Sequence, residues 1–262
     1  MRKIIFFLFI AVFLLRINVY AESPYDLSWQ NEGIALGLGL ATGIPALILA
    51  DNSDTLTRSD ILLLDKNNIN GFDRFAADYY SPNIATASDV LVITAVASPL
   101  LLLLSPDIRS DALTVGTMYA ETMLLAAALP GLTKELVDRT RPYAYNSEAP
   151  ITLKADADTK RSFFSGHTSL AFASAVFLST VYSDYYPDSE YKPYIWGGTL
   201  LVATTVGLLR IFSGKHFPTD VLTGAAVGSF IGWLIPKLHK KTSGNNVTMG
   251  IGNMGIAFTY CF

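Results

Sequence analysis

Two histidines in this chain stand beside the residues that an anion site needs. His167 follows Ser165 and Gly166 in RSFFSGHTSL, residues 161–170, and His216 precedes Pro218 and Asp220 within RIFSGKHFPTD, residues 210–220. Gly166 lets a backbone come close to a ligand, and a helix starting there offers unpaired amides to an anion. Ser165 can donate as well, although an N-cap role alone would account for it. Asp220, one turn beyond His216, can fix the imidazole tautomer and stabilise its charged form. Complementing the helix dipole would explain the aspartate but not the histidine. A third block, KELVDRTRP, carries Lys134 and Arg141 seven residues apart, which on a helix is two turns and one stripe. Pro142 stops that helix and leaves the Arg141 guanidinium free to fork onto phosphate oxygens. A solvated basic face with a Glu135–Arg139 pair at helical spacing is the plainer account of this block.

Taken together with Arg210, which ends an apolar run before Gly214, these residues make a site for a phosphoryl group. One imidazole attacks in line, the other protonates the leaving oxygen, and cations and amides balance the spread charge. No metal or other cofactor is expected, because the chain has three histidines and the third, His239, lies in a basic tail far along the sequence.

In order and internal spacing, Lys134, Arg141 and Pro142, then Ser165, Gly166 and His167, then Arg210, His216 and Asp220 resemble the three-part signature of the type 2 phosphatidic acid phosphatase superfamily. That superfamily also includes class A acid phosphatases and vanadium haloperoxidases. Phe164 stands where proline commonly precedes the Ser-Gly-His, and Leu209 where serine commonly precedes the arginine. The resemblance implies that His216 is the nucleophile of a phosphohistidine, that Asp220 orients it, and that His167 is the general acid. It implies that Lys134, Arg141, Ser165, Gly166 and Arg210 hold the phosphate.

The elements that position these residues read as membrane helices. Of 262 residues, 51% are hydrophobic and only 16% charged, and the apolar residues are gathered into blocks. Segments near 84–105, 112–133, 167–183, 194–212 and 219–237 each approach the roughly 20 residues that cross a bilayer, with Asp89 and Glu121 as polar exceptions. Segment 33–50 is broken by Gly37, Gly39, Gly43 and Pro45 and is expected to be re-entrant or weakly spanning. The expected fold is all-α, a bundle of five to six long apolar helices embedded in a membrane. Gly224, Gly228 and Gly232 mark a close helix contact, and alternation over 247–262 marks a β-hairpin-like tail. A net charge of −3 gives no reason to expect nucleic acid as a partner.

Residues 1–21 have Arg2 and Lys3, an apolar run from Ile4 to Leu15 and a small-residue cleavage site near Ala21, the pattern of a secretory signal. Residues 22–262 then form one phosphatase domain with its motif core at 134–220. If 33–50 does not cross, five spans place the three motifs outward and the basic PKLHKK inside; if it does cross, the parity reverses and the site faces inward. The expected protein is a lipid phosphate phosphatase of the inner membrane with a periplasmic site. The alternatives are a periplasmic acid phosphatase acting on soluble esters and a non-catalytic membrane protein that binds anionic lipids.

Overall fold

The computed structural model describes residues 23–51, 54–241, 247–252 and 255–260, so the signal expected at 1–21 lies outside the described residues. Six long helices carry the fold: α1 Trp29–Ala50, α2 Pro82–Ala97, α3 Ala112–Val137, α4 Gly166–Tyr185, α5 Lys192–Phe212 and α6 Pro218–His239. A 3-10 stretch, Ser98–Leu104, prolongs α2. All but α4 are long and apolar enough to cross a membrane. The more polar α4 is the centre of the bundle, with most of its length buried from Thr168 to Val181. Three of its serines reach across helix interfaces: Ser169 donates to the Ala126 carbonyl at 3.1 Å, Ser174 meets Tyr119 at 2.9 Å and Ser179 meets Thr199 at 2.9 Å. Serines that would be costly against lipid thus become interhelical contacts.

The expectation of a broken segment at 33–50 is not met, since α1 is continuous over 22 residues. Its small residues serve packing. A Cβ on Gly39 would lie 2.3 Å from the Leu124 side chain, Gly43 faces Ala128, and Ala46 faces Gly131. These contacts advance together along both helices, so α1 runs parallel to α3.

Helices α1, α3 and α5 run toward one end of the bundle, and α2, α4 and α6 run away from it. The opposite end gathers residue 23 and the close of α6. There Asp26 N–H donates to the His239 carbonyl at 2.8 Å and Lys241 N–H to that of Pro24 at 2.9 Å. Asp184 accepts from Tyr25 at 2.9 Å and from Lys240 at 2.5 Å. Asp184, in the last turn of α4, is therefore a tie that fixes this end.

Helices α4 and α6 are also parallel and touch along their backbones. Cβ atoms on Gly224, Gly228 and Gly232 would lie 2.6, 2.2 and 2.4 Å from the carbonyl oxygens of Ser165, Ser169 and Ala173. Because a main-chain carbonyl cannot move aside, Gly228→Ala is expected to cost about 1–3 kcal/mol. Gly33→Ala, where nothing lies within 4 Å, is the matched control, and thermal unfolding in detergent separates the two.

At the C-terminus β1 Val247–Gly252 pairs antiparallel with β2 Gly255–Tyr260, Met249 opposite Phe258.

Candidate active site

Three interruptions of the helices build the site. The first follows α3, where Asp138 adopts a left-handed conformation at φ 53° and ends the helix. Lys134 therefore stays on the last turn while Arg139 and Arg141 leave it, which corrects the expectation of one helical stripe through Arg141. Arg141 is extended, as a residue before proline must be. The expected Glu135–Arg139 helical pair is replaced as well: Glu135 meets Arg161 at 2.5 Å, and Arg139 reaches Asp73 and Asp220.

The second interruption is the start of α4. Ser165 is fully buried and caps the helix, accepting from Thr168 N–H at 3.3 Å and from the Thr168 hydroxyl at 2.9 Å. Its own N–H donates to the Asp220 carbonyl at 3.1 Å, which sets the starts of α4 and α6 level. Where Gly166 would carry a Cβ, Lys134 Nζ is 3.8 Å away, so a larger residue there would crowd the lysine.

The third is the turn between α5 and α6. Gly214 has φ 73°, and a Cβ there would lie 2.1 Å from the Tyr79 carbonyl, so both conformation and space require glycine. This turn delivers His216, which is 1% exposed. Arg141 Nη1 lies 3.1 Å from His216 Nε2. A guanidinium can only donate, so Nε2 carries the lone pair and the ring proton sits on Nδ1. Nδ1 faces Asp220 Oδ2 at 3.6 Å, longer than a hydrogen bond. Burial, followed by the charges of Arg141, Arg210 and Lys134, pushes the imidazole pKa well below its ordinary value, and the ring is neutral near pH 7.

Asp220 is fully buried and held on all sides. It accepts from Arg139 at 2.5 Å, from Ser162 at 2.5 Å and from Phe217 N–H at 2.9 Å. Capping α6 and facing the imidazole are thus compatible tasks for one carboxylate.

Arg141 also donates to the Lys215 carbonyl at 2.8 Å and to Asp158 Oδ1 at 2.9 Å. Burial opposes ionisation of Asp158, but Arg141 and Lys134 overcome it and hold the carboxyl at about 2. Arg210, 5% exposed, donates from Nη1 to Ser88 and Asp89, each at 3.0 Å. Its Nε is buried without a hydrogen-bond partner among the described residues, a donor that an anion would satisfy. His167 Nε2 lies 2.8 Å from Asp89 Oδ1.

The fold thus brings all eight expected residues to one end of the bundle, with Ser165 acting as a cap. Sequence reasoning missed Arg139, Asp73, Ser162 and Asp158, and it noted Asp89 only as an oddity in an apolar run. An acid inside an apolar helix is itself a signal of function; the loop holding Asp73 carries no comparable signal. His239 lies at the far end, 3.4 Å from both Glu32 and Glu121.

An apolar cavity of about 490 Å³ lies between α2, α4 and α5, running from Ala95 and Ala171 to Ile108, Tyr182 and Tyr194 near the opposite end, and none of the eight expected site residues lines it. Its lining includes Ala95, Ala171, Ala175, Leu178, Thr199 and Val202. Ala171, Ala175 and Leu178 follow His167 at helical spacing, and Thr199 and Val202 precede Arg210 in the same way.

A bundle with five helices long and apolar enough to cross a membrane defines an integral membrane protein, and Lys134, Arg141 and Arg210 gather beside two histidines at one end of it. Residues 116–243 match the PAP2 superfamily, a segment that holds all nine motif positions. A 98-residue stretch is 33% identical to the lipid A 1-phosphatase of Porphyromonas gingivalis, covering 36% of this chain and 21% of that protein. An 80-residue stretch is 34% identical to the lipid A 4'-phosphatase of the same bacterium, covering 30% of each. The chain therefore spans less than a third of the length of these curated relatives. Among solved structures, LpxE of Aquifex aeolicus superposes with a TM-score of 0.43 at 22% identity, over 63% of this chain and 92% of that one.

Proposed function

We propose that this protein is a metal-independent phosphatase that removes phosphate from a membrane lipid through a phosphohistidine on His216. The observation that carries the proposal is the His216 ring itself: neutral, its Nδ1 proton turned to Asp220, its Nε2 lone pair turned to Arg141. An incoming phosphoryl group meets that lone pair while Arg141, Lys134, Arg210 and the first amides of α4 take its oxygens. Nε2 bonds to phosphorus, the bond to the lipid oxygen breaks, and His167 supplies the proton that oxygen needs. Water then attacks the phosphohistidine with His167 as base, the phosphorus–nitrogen bond breaks, Nε2 regains its lone pair and inorganic phosphate leaves. Asp158, now on Arg141, gives way to the substrate.

The five helices long and apolar enough to cross a membrane favour a lipid over a soluble ester, because a substrate anchored in the bilayer meets the site at the ends of those helices. The two Porphyromonas relatives make lipid A phosphates the first substrates to try, ahead of phosphatidate, phosphatidylglycerophosphate and polyprenyl diphosphate. We also propose that the site faces outward, because Lys237, Lys240 and Lys241 gather at the opposite end and basic ends resist export. With α1 crossing, residue 23 shares the inner side with those lysines. A cleaved signal would leave residue 23 outside, so the signal and the outward site exclude each other, and the outward site is retained.

The purified protein is expected to release phosphate from at least one of these lipids with or without a chelator present. Absence of release from the whole panel, or release that a chelator abolishes, would reject the proposal.

A further inference from the structure

Both imidazoles at the site have a carboxylate facing one ring nitrogen, at 3.6 Å for His216 and at 2.8 Å for His167. For His216 the carboxylate is Asp220 of the third motif. For His167 it is Asp89, which comes from α2, outside the segment 116–243 that defines the family match. Asp89 Oδ1 takes both His167 Nε2 at 2.8 Å and Arg210 Nη1 at 3.0 Å. No hydrogen bond occupies His167 Nδ1 among the described residues, and the ring, with 33% of its side-chain surface open, reaches the cleft.

We propose that Asp89 is the positioning residue for the leaving-group half of the reaction, holding Nε2–H of His167 so that Nδ1 faces the departing lipid oxygen. The inference rests on the phosphatase assignment above. When His216 Nε2 bonds to phosphorus and the phosphorus–oxygen bond breaks, the electron pair goes to the lipid oxygen, which takes the Nδ1 proton. The neutral ring keeps its Nε2 proton on Asp89 and presents a bare Nδ1 lone pair, ready to accept a proton from the water that opens the phosphohistidine. Asp89 thus fixes the same tautomer for both half-reactions, as a carboxylate does for a catalytic histidine elsewhere.

A carboxylate is needed here for an electrostatic reason. The charged groups around His167 are Arg210 from α5, Lys134 from α3 and Asp89 from α2, and the two cations oppose an imidazolium. Burial is the largest influence against the charged ring, the two cations add to it, and Asp89 is the group that counters them in part. Without it the ring has neither a fixed orientation nor a counter-charge, and the lipid alkoxide must depart unprotonated.

The dependence on leaving group separates this role from a structural one. An alkoxide needs a proton to depart, whereas 4-nitrophenolate departs without one. In Asp89→Asn, kcat/KM for a long-chain alkyl phosphate is expected to fall by about 100-fold, the scale of a lost general acid. For 4-nitrophenyl phosphate the expected loss is only about threefold, allowing for the disturbed Arg210 contact. Asp89→Glu, which keeps the charge, is expected to restore most of the alkyl activity, and it carries the same comparison should the asparagine variant fold poorly. Equal losses on both substrates, or no loss on the alkyl phosphate, would overturn the proposal. Wild-type protein inactive on both substrates would instead overturn the phosphatase assignment, and this inference with it.

Discussion

Alanine at position 216 is expected to abolish turnover, by about 10⁴-fold or more, the scale seen when a covalent nucleophile is removed, while the bundle stays folded. The neighbours of the ring explain why the fold survives. Asp220 keeps Arg139, Ser162 and Phe217 N–H. Arg141 keeps Asp158 and the Lys215 carbonyl. No buried charge is stranded, so the expected loss of stability is only about 1–3 kcal/mol. The measurements are phosphate release, thermal unfolding in detergent, and trapping of an acid-labile phosphoprotein from short incubations of wild type. A His216→Ala protein that turns over within about a hundredfold of wild type would remove the nucleophile assignment, since general acid–base contributions alone reach that scale.

Arg139→Met is expected to be the most destabilising single change at this end of the molecule. Arg139 bridges Asp73 at 2.7 Å and Asp220 at 2.5 Å, both carboxylates fully buried, and its guanidinium lies 4.1 Å over the Phe217 ring. Removing it leaves two buried anions facing one another without their cation, a cost of about 3–5 kcal/mol. Burial opposes ionisation of Asp73, but hydrogen bonds from Thr219, Asn70 and Arg139 outweigh it and hold that carboxyl below its usual value. The charge is therefore present when Arg139 is lost. Adding Asp73→Asn to Arg139→Met is expected to recover part of the stability, because one of the stranded charges is then gone. Denaturant unfolding of both variants decides the matter, and additive losses in the double variant would count against the bridge. Activity is expected to fall with stability, since Asp220 loses the partner that fixes its carboxylate behind His216.

Much of this site was legible because its residues sit at helix ends, where glycine, proline and a cap residue leave strong local marks. Gly214, Pro218 and Asp220 announce the turn that carries His216, and Ser165 with Gly166 announces the start of α4. What sequence could not reveal depends on contacts between distant segments. Arg139 looks like half of a helical surface pair until Asp138 turns left-handed and swings it toward Asp73, 66 residues earlier in the chain. Asp89 stands out as an acid in an apolar helix, but its partner His167 is 78 residues away. The continuity of α1 was hidden for the opposite reason. Its glycines and Pro45 look like helix breakers alone, and only the surface of α3 shows that Gly39 and Gly43 are there to be approached.

The main-chain seam between α4 and α6 has one more implication. Spacing between the two histidine-bearing elements is fixed by glycine Cα atoms resting on carbonyl oxygens, not by bulky side chains that could creep or swap rotamers. Outward residues of α6 such as Leu222, Phe230 and Trp233 are thus free to drift under selection for different bilayers, and the chemistry above them keeps its gauge.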